Sequence, residues 1–281
     1  MTRDPRRSGR PGSGANERRT SRGRTAAPRR GERTSPRPTD AWLGGRRAVA
    51  EAISAGAVLE LLVARGTRSQ PVAALVERAA ARGVRAGEGT TDELDRLSPD
   101  HQGVVARVTM PRELGDGDLR EFVFGPEAVV VVLDGVSDPQ NLGAAARSAE
   151  AAGVTMLVSR ERRAAPITPA AIRASAGALL HLPVARVTNL TRALQALQQR
   201  GFTVVGLDED APATVGHDHA PDGPLALVVG AEGSGISRLV REHCDLLVAL
   251  PMRGKVESLN ASAALVAALF AYVLPSRQAE P

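Results

Sequence analysis

The sequence contains very little cysteine, aromatic residue or lysine. The shortage of cysteine limits the possible cross-links, and the shortage of aromatics limits what the core can be built from. One cysteine, Cys244, excludes an intrachain disulfide and is typical of a reducing compartment. Aromatic residues make up only 2% of the 281 residues, so a core has to be built from Ala, Val and Leu. No apolar run is long enough to span a membrane, and no apolar segment near the start indicates a secretory signal. We therefore expect a soluble, cytoplasmic protein with no membrane partner.

Positive charge is supplied almost entirely by arginine and is concentrated at the start of the chain. Residues 1–39 carry twelve Arg and three acidic residues, a net charge of +9. Because the whole chain carries +5, the remainder carries −4. Residues 1–40 hold little that can be buried, which predicts a disordered arm. A flexible Arg-rich arm is suited to RNA phosphates, although a solvated tail is the alternative.

The pattern after the arm predicts a small α/β domain over residues 41–110. Helical periodicity runs from Gly45 to Gly56, and a second helix follows Ser69, a plausible N-cap. The runs VLELLVARG and HQGVVARV (residues 101–108) are typical of strands. Residues 111–124 are polar and contain glycine, which predicts a linker.

From residue 125 onward, short apolar runs alternate with helical segments. Several runs are apolar on both sides, among them AVVVVLDG, LALVVG and LLVALP. Such runs predict a parallel sheet covered by helices on both faces. Ligands bind such sheets beyond the carboxyl ends of the strands. The loops that follow Leu133, Val229 and Leu250 are therefore the candidates for a site.

The first candidate loop opens LDGVSDPQNLGAAARSA, residues 133–149. Asp138-Pro139 indicates a turn, and Asn141 is suited to beginning the next helix. Arg147 lies a little under two helical turns after Asn141, so the two side chains do not share one aligned face. On the residues alone, a capping Asn and a solvated Arg explain this segment better than a catalytic role does.

The second candidate loop, LVVGAEGSGIS (residues 227–237), is rich in glycine. Its backbone N–H groups are free to approach a cofactor closely. It is not the dinucleotide fingerprint, because Arg238 stands where the third glycine would be. Glu232 follows an apolar strand, so it is a candidate for a buried, partnered carboxylate. An exposed Glu in a Gly-rich turn is the open alternative.

The third candidate loop, LPMRGKVESLNASAA, contains Lys255, the only lysine in the chain. Gly254-Lys255 suggests a phosphate loop, but Ala249 and Val256 stand where that motif needs glycine and Ser or Thr. Nucleoside triphosphate binding is therefore rejected. Ser258, Asn260 and Ser262 remain, and three small polar residues are more than one helix cap needs.

Other sites are weakly indicated. His217 and His219 lie in a Pro- and Gly-rich loop without further metal ligands, so no metal is expected. The segment GSG has no nucleophile-elbow context, which disfavours a serine hydrolase.

Taken together and in order, the three loops resemble the motifs of the SpoU (TrmH-type) branch of the SPOUT RNA methyltransferases. The connecting segments ASAGALLHLPVARVTNL and REHCDLLVALPM are similar to the RlmB type, which methylates a guanosine ribose in 23S rRNA. The resemblance covers roughly residues 42–274. It implies a SPOUT methyltransferase domain over residues 125–275, built on a parallel α/β sheet with a deep trefoil knot near its C-terminus, and a tail at 276–281. It also implies that residues 41–110 are a ribosomal-protein-like RNA-binding domain.

The resemblance further implies S-adenosylmethionine as cofactor, RNA as substrate and a homodimer. Gly230, Leu250 and Leu259 match the cofactor contacts by motif, and the resemblance implies that neighbouring backbone at Met252 and Ala261 also contacts the cofactor. Polar residues tied to catalysis and site geometry match at Asn141, Arg147, Glu232, Ser258 and Asn260. Lys255 occupies a variable position and is given no catalytic role.

Arg147 matches the residue that activates the ribose 2′-hydroxyl, near the dimer interface. A free guanidinium has a pKa above about 12 and is protonated at neutral pH. Two roles remain open for Arg147: a base, which requires it to lose that proton, or a charged group that binds phosphate and stabilises the developing alkoxide.

Three alternatives to a 23S rRNA guanosine 2′-O-methyltransferase remain. The first is a ribose methyltransferase for tRNA or another rRNA site, including a thiostrepton-resistance type. The second is a non-catalytic RNA-binding ribosome-assembly factor, which the full polar set disfavours. The third, a nicotinamide-dependent oxidoreductase, is disfavoured by the missing fingerprint.

Overall fold

The computed structural model describes residues 40–216, 222–252, 254 and 259–277, with side chains described as far as residue 272. Within these ranges the strands are β1 (Asp40–Gly44), β2 (Val58–Ala64), β3 (Ala86–Gly89), β4 (Val104–Thr109), β5 (Val129–Asp134), β6 (Met156–Arg160), β7 (Val184–Val187), β8 (Thr203–Leu207), β9 (Ala213–Thr214), β10 (Leu225–Gly230) and β11 (Leu246–Ala249). The helices are α1 (Arg46–Ser54), α2 (Gln70–Ala80), α3 (Thr91–Leu97), α4 (Asp116–Glu121), α5 (Pro139–Ala151), α6 (Pro169–Ala174), α7 (Leu190–Gln198), α8 (Arg238–Arg241) and α9 (Ala261–Arg277). A 3-10 turn spans Ala178–Leu180. Residues 1–39 of the predicted arm lie outside the described residues, and its last residue, Asp40, begins β1.

The first four strands form a small sheet in the order β1-β4-β2-β3. β4 pairs antiparallel with β1 and β2, whereas β3 pairs parallel with β2. The predicted strands at β2 and β4 and the helices α1 and α2 are confirmed. β1, β3 and α3 were not predicted from the sequence. Thr90 and Glu93 form a capping box at the start of α3.

Residues 111–124, predicted as a polar linker, contain α4 and pack against the larger sheet. Leu119 is buried beneath this helix and joins the core on that face. The N–H of Leu114 donates to the carbonyl O of Val184 at 2.9 Å, beside β7. This segment is therefore structured, because its apolar residues Leu114, Leu119 and Phe122 have a core to join.

Seven parallel strands form the larger sheet in the order β7-β6-β5-β10-β8-β11-β9. Every residue of β5 and β10 is buried, which confirms a sheet covered on both faces. Successive valines of β5 enter different cores: Val129 and Val131 pack on one face, and Val130 and Val132 on the other. Helices α5, α6 and α9 cover the first face, and α7 and α8 cover the second.

Packing joins the two sheets through α6 and the turn after it. Arg173 of α6 donates to Ser98 Oγ at 3.2 Å, and His181 Nε2 lies 3.4 Å from Glu51 Oε2 on α1. Gly177, in the left-handed region at φ 95°, lies against the same glutamate, and an added Cβ there would overlap the Glu51 side chain. The small sheet is thus seated on the helix layer of the larger one.

Among the helices of the described residues, none combines the length and apolar character that crossing a membrane requires.

Candidate functional site

A cavity of about 400 Å³ opens at the carboxyl ends of β8, β10 and β11. The three strands are neighbours in the sheet, so the loops that leave them meet at one edge. The lining residues come from the β8 loop, the Gly-rich loop after β10, and the segment around the start of α9. They are Leu207, Asp208, Glu209, Asp210, Val229, Gly230, Ala231, Glu232, Gly233, Ser234, Gly235, Ile236, Arg241, Val248, Leu250, Met252, Leu259, Ala261 and Ala264.

The structure brings all five predicted cofactor residues together in this lining. They are Gly230, Leu250, Met252, Leu259 and Ala261. Met252 and Leu259 are 40% and 43% exposed, large apolar side chains open to the cavity mouth. They stand on either side of a segment that includes Lys255 and Ser258, both outside the described residues. These five residues form a surface to which an apolar, flat group can bind.

The Gly-rich loop is closed tightly on itself. The N–H of Gly235 donates to the carbonyl O of Ala231 at 2.9 Å, and Gly233 and Gly235 both have positive φ. A Cβ added at Gly230 would overlap the backbone of Gly235. Gly230 is therefore required by close approach, and the loop presents backbone to the cavity rather than side chains.

Glu232 is exposed, so the expectation of a buried, partnered carboxylate is wrong and the open alternative is correct. Its side chain makes no hydrogen bond or ion pair to another described residue. The loop turns outward after Ala231, which moves Glu232 away from the sheet and to the cavity mouth. Its carboxylate is thereby free to contact a ligand.

A buried carboxylate does exist nearby, at Asp134 on the end of β5. Asp134 is 4% exposed; its Oδ2 accepts from the N–H of Ser237 at 2.8 Å, and its Oδ1 lies 3.0 Å from Arg160 Nη2. The pair satisfies a charge that would otherwise be unpaired in the core. It ties the loop after β5 to the Gly-rich loop. Asp134 was not predicted as a site residue, although an acid that ends an all-apolar strand was an available signal.

The acidic loop after β8 was also missed. Asp208, Glu209 and Asp210 line the cavity, and Arg241 faces them from α8. Asp208 has a side chain 9% exposed, and its Oδ2 lies 2.9 Å from Arg241 Nη1. The three loops predicted from the sequence do not include it, whereas the strand order places β8 between β10 and β11, whose loops were predicted.

Helix α5 begins differently from the prediction at Asn141. Asp138 is the N-cap, because its Oδ1 accepts from the N–H of Gln140 at 3.0 Å, and Pro139 is the first helical residue. Asn141 is half-buried in the first turn. Its carbonyl O accepts from Ser262 Oγ of α9 at 3.4 Å, so the starts of α5 and α9 lie together.

Asn260 caps α9. Its Oδ1 accepts from the N–H of Ala263 at 2.7 Å, so one of its polar atoms is used by the helix and its amide nitrogen remains available. Arg147 is exposed on α5, has no partner among the described residues, and is not part of the cavity lining. The structure therefore brings Asn141 and Asn260 to adjacent helix starts and leaves Arg147 outside the cavity.

Cys244 lies behind the cavity, against β8. Burial raises the pKa of its thiol to about 12, and the nearby carboxylates of Asp245 and Asp208 add to the shift. The thiol donates to the carbonyl O of Val240 at 3.4 Å. A neutral, partly buried thiol is a packing residue here rather than a nucleophile.

Comparisons with known proteins match both parts of the chain. The family model described as the SpoU rRNA methylase family matches residues 128–270, and the model described as RNA 2′-O ribose methyltransferase substrate binding matches residues 42–114. A 23S rRNA (guanosine-2′-O-)-methyltransferase RlmB from Xylella fastidiosa is 40% identical over 237 residues, 82% of this chain and 94% of the relative. An uncharacterized tRNA/rRNA methyltransferase from Mycobacterium avium is 44% identical over 78% of this chain and 72% of the relative.

Solved structures agree. The SpoU methyltransferase AviRb from Streptomyces viridochromogenes, in complex with AdoMet, superimposes with a TM-score of 0.71 at 29% identity. The match covers 85% of this chain and 91% of that one.

Proposed function

The chain belongs to the SpoU rRNA methylase family, and we propose that it methylates the ribose 2′-hydroxyl of a guanosine in 23S rRNA with S-adenosylmethionine as cofactor. The observation that carries this proposal is the 40% identity to a 23S rRNA guanosine methyltransferase. The matched region covers 82% of the chain, so it extends beyond the residues of the larger sheet. We place the protein in the cytoplasm, where ribosomal RNA is assembled.

We propose that the cavity at β8, β10 and β11 binds the cofactor. Its volume of about 400 Å³ lies in the range of ligand sites, and AdoMet is bound in the similar structure of AviRb. When bound, S-adenosylmethionine supplies a methyl group attached to a positively charged sulfur. Leu250 and Leu259 offer apolar surface for the base, and the carboxylates of Glu232 and Asp210 complement the positive charge.

The chain's own residues orient the ribose and stabilise charge. Asn141 and Asn260, at adjacent helix starts, position the site, together with Ser258. Arg147 binds a backbone phosphate and stabilises negative charge as it develops on the 2′-oxygen. The proton of the 2′-hydroxyl is released to solvent water as this oxygen takes up the methyl group, so Arg147 acts through its charge rather than as a base.

We propose that residues 41–110 bind the RNA, that residues 125–275 carry out methyl transfer, and that the Arg-rich arm adds phosphate contacts. The match of a substrate-binding family model to residues 42–114 supports the first assignment. The net charge of +9 on residues 1–39 supports the last.

We propose a homodimer formed through α9 and its neighbour α5. Helix α9 is apolar around its whole circumference, which is typical of a helix buried on all sides. Yet Ala263 and Phe270 are exposed on it, and Phe270 is 47% exposed. An interface there would bring Arg147 of α5 close to the partner subunit.

We propose that the domain at residues 125–275 carries the C-terminal trefoil knot of the SPOUT fold. Family membership supports it, as does the order of elements: β11 lies between β8 and β9 in the sheet, whereas α9, the next helix, packs against β10 and α5. An experimental chain trace through residues 253–258 would test the knot.

Mapping 2′-O-methylation across rRNA and tRNA in a deletion strain tests the proposed function. We expect loss of one methyl group at a 23S rRNA guanosine, restored by the wild-type gene. Loss in tRNA, or at another rRNA site, would transfer the activity to that substrate. An unchanged map would favour a binding role without catalysis.

A further inference from the structure

The loop after β6 carries two arginines, Arg162 and Arg163, that are not part of the cavity lining described above. Arg162 and Arg163 are exposed, and neither side chain contacts another described residue through a hydrogen bond or ion pair. Other arginines of this region are engaged: Arg160 pairs with Asp134, and Arg186 is held by the loop itself. Two free guanidinium groups side by side are suited to phosphate oxygens.

Hydrogen bonds to Arg186 and to the loop after β5 hold this loop in place. Arg186 of β7 donates to the carbonyl oxygens of Glu161 at 3.1 Å, Ala164 at 3.4 Å and Ala165 at 2.5 Å. The N–H of Ala165 also donates to the carbonyl O of Val136 at 2.9 Å, in the loop after β5. A loop held at these points loses little conformational entropy when it binds a ligand.

Arg163 adopts a backbone conformation that its own side chain disfavours. Its φ is 60°, in the left-handed region where glycine is at ease and residues with a Cβ are uncommon. Strained backbone that persists on a well-held loop is often associated with function. Arginine at this position keeps a charged side chain where glycine would remove the strain.

The position of the loop relates it to the rest of the site. β6 lies next to β5, and the cavity lies on the other side of β5, at β10, β8 and β11. Between the two, the chain leaves β5 and enters α5, which carries Asn141 and Arg147. Glu161 is an exposed acid beside the arginines, so the three adjacent side chains carry a net charge of +1.

We propose that Arg162 and Arg163 bind backbone phosphates of the RNA strand that presents the target ribose, as positioning residues for methyl transfer. The inference rests on the proposed function, because RNA is the substrate it assumes. The strand would run along the carboxyl edge of the sheet, from the loop after β6 across the start of α5 to the cavity.

The test compares RNA binding of the full-length protein with that of Arg162→Ala and Arg163→Gly over a series of salt concentrations. The RNA is a transcript of the 23S rRNA domain that contains the mapped guanosine. We expect the slope of log affinity against log salt to fall by about 0.7–0.9 for each lost phosphate contact. KM for RNA should rise, while calorimetric binding of S-adenosylmethionine should stay unchanged.

Arg163→Gly separates a binding role from a structural one. Glycine relieves the positive φ, so the thermal midpoint should stay the same or rise while RNA binding weakens. Arg120→Ala is the matched control. Arg120 is exposed on α4, and its carbonyl O accepts from Arg200, the residue shortly before β8, which places it at the opposite edge of the sheet. Its slope should equal that of wild type.

Two outcomes overturn the inference in distinguishable ways. If wild type methylates the transcript and both loop variants keep its salt slope and KM, the loop does not bind RNA and the proposed function stands. If wild type neither methylates RNA nor binds it in a salt-dependent manner, the proposed function fails and the inference fails with it.

Discussion

Arg147 is an exposed residue whose environment in one protomer explains neither its charge nor its position. It makes no contact with the cavity lining, and the described residues offer it no carboxylate partner. An arginine that has no structural partner is available for a ligand or a second subunit. Its proposed role in stabilising charge can therefore be tested by measuring methyl transfer.

We predict that Arg147→Ala keeps S-adenosylmethionine binding and loses methyl transfer. Removing one charge-stabilising group from a reaction centre costs about 10²–10³ in rate. Calorimetry measures cofactor binding, and methyl incorporation into 23S rRNA measures the rate. Glu150→Ala, one turn further along the exposed side of α5, is the control and should be fully active. Full activity in Arg147→Ala would remove this arginine from the mechanism.

Cys244 makes stability depend on pH at the alkaline end. Its pKa is about 12 in the folded protein against an ordinary value of 9.0, and burial also raises the pKa of Tyr272. Between about pH 9 and pH 12 the Cys244 thiol loses its proton in the unfolded chain but keeps it in the folded protein. The folded state therefore binds more protons, and stability falls as pH rises. We expect urea midpoints to decline above pH 9, and less so in Cys244→Ala. An identical decline in both proteins would show that the thiol is not responsible.

At the scale of elements, α5 and α6 are in contact at a glycine in mid-helix. A Cβ added at Gly143 would overlap the Ala174 side chain and lie 2.7 Å from the carbonyl O of Ala171. This close approach sets the separation of the two helices. It also links α5, which carries Asn141 and Arg147, to the layer that seats the small sheet.

We predict that Gly143→Ala destabilises the fold by about 1–3 kcal/mol through overpacking. Helix propensity alone would give the opposite sign, a gain of about 1 kcal/mol. Gly117→Ala is the matched control, because Gly117 lies in α4 with nothing within 4 Å of an added Cβ. Adding Ala174→Gly should recover part of the loss. Urea unfolding measures all four proteins, and a stabilised Gly143→Ala would contradict the contact.

Elements with their own apolar pattern were predictable from sequence, and elements formed only by pairing were not. β5 and β10 are continuous apolar runs, so their burial follows from composition. β3 has the sequence AGEG, which has no strand preference, and it exists because β2 pairs with it. Likewise the predicted loops after Val229 and Leu250 line the cavity, whereas the predicted loop after Leu133 does not, and the β8 loop joins the lining only because of strand order.

Burial in the site was predicted less well than position. Asp134 ends an apolar strand and Glu232 follows one, and the sequence alone does not say which carboxylate finds a partner. Arg160 decides the matter, because it lies on the adjacent strand β6 and reaches Asp134. A partner that is distant in sequence is a tertiary property, invisible to local pattern.

At the scale of the whole molecule, a charge placed on the exposed apolar face of α9 should convert the proposed dimer to a monomer. Phe270→Asp should shift sedimentation to the monomer and abolish methyl transfer, because a buried charge on α9 would lose its hydration. Leu59→Asp is the control, since Leu59 is 48% exposed on β2, and it should leave the association state unchanged. A Phe270→Asp protein that sediments as wild type would place any interface elsewhere.

The contact of Gly177 with Glu51 has a consequence for how a target is chosen. The small sheet is seated on the helix layer by α6, Ser98 and Glu51, and the described residues of both parts belong to one compact unit. If the small sheet binds one feature of a folded RNA, the methyl donor then lies at a constant reach from it. Target choice would work as a ruler works, by distance within the RNA fold, so that a change in RNA architecture alters the modified position more than a change of neighbouring bases does.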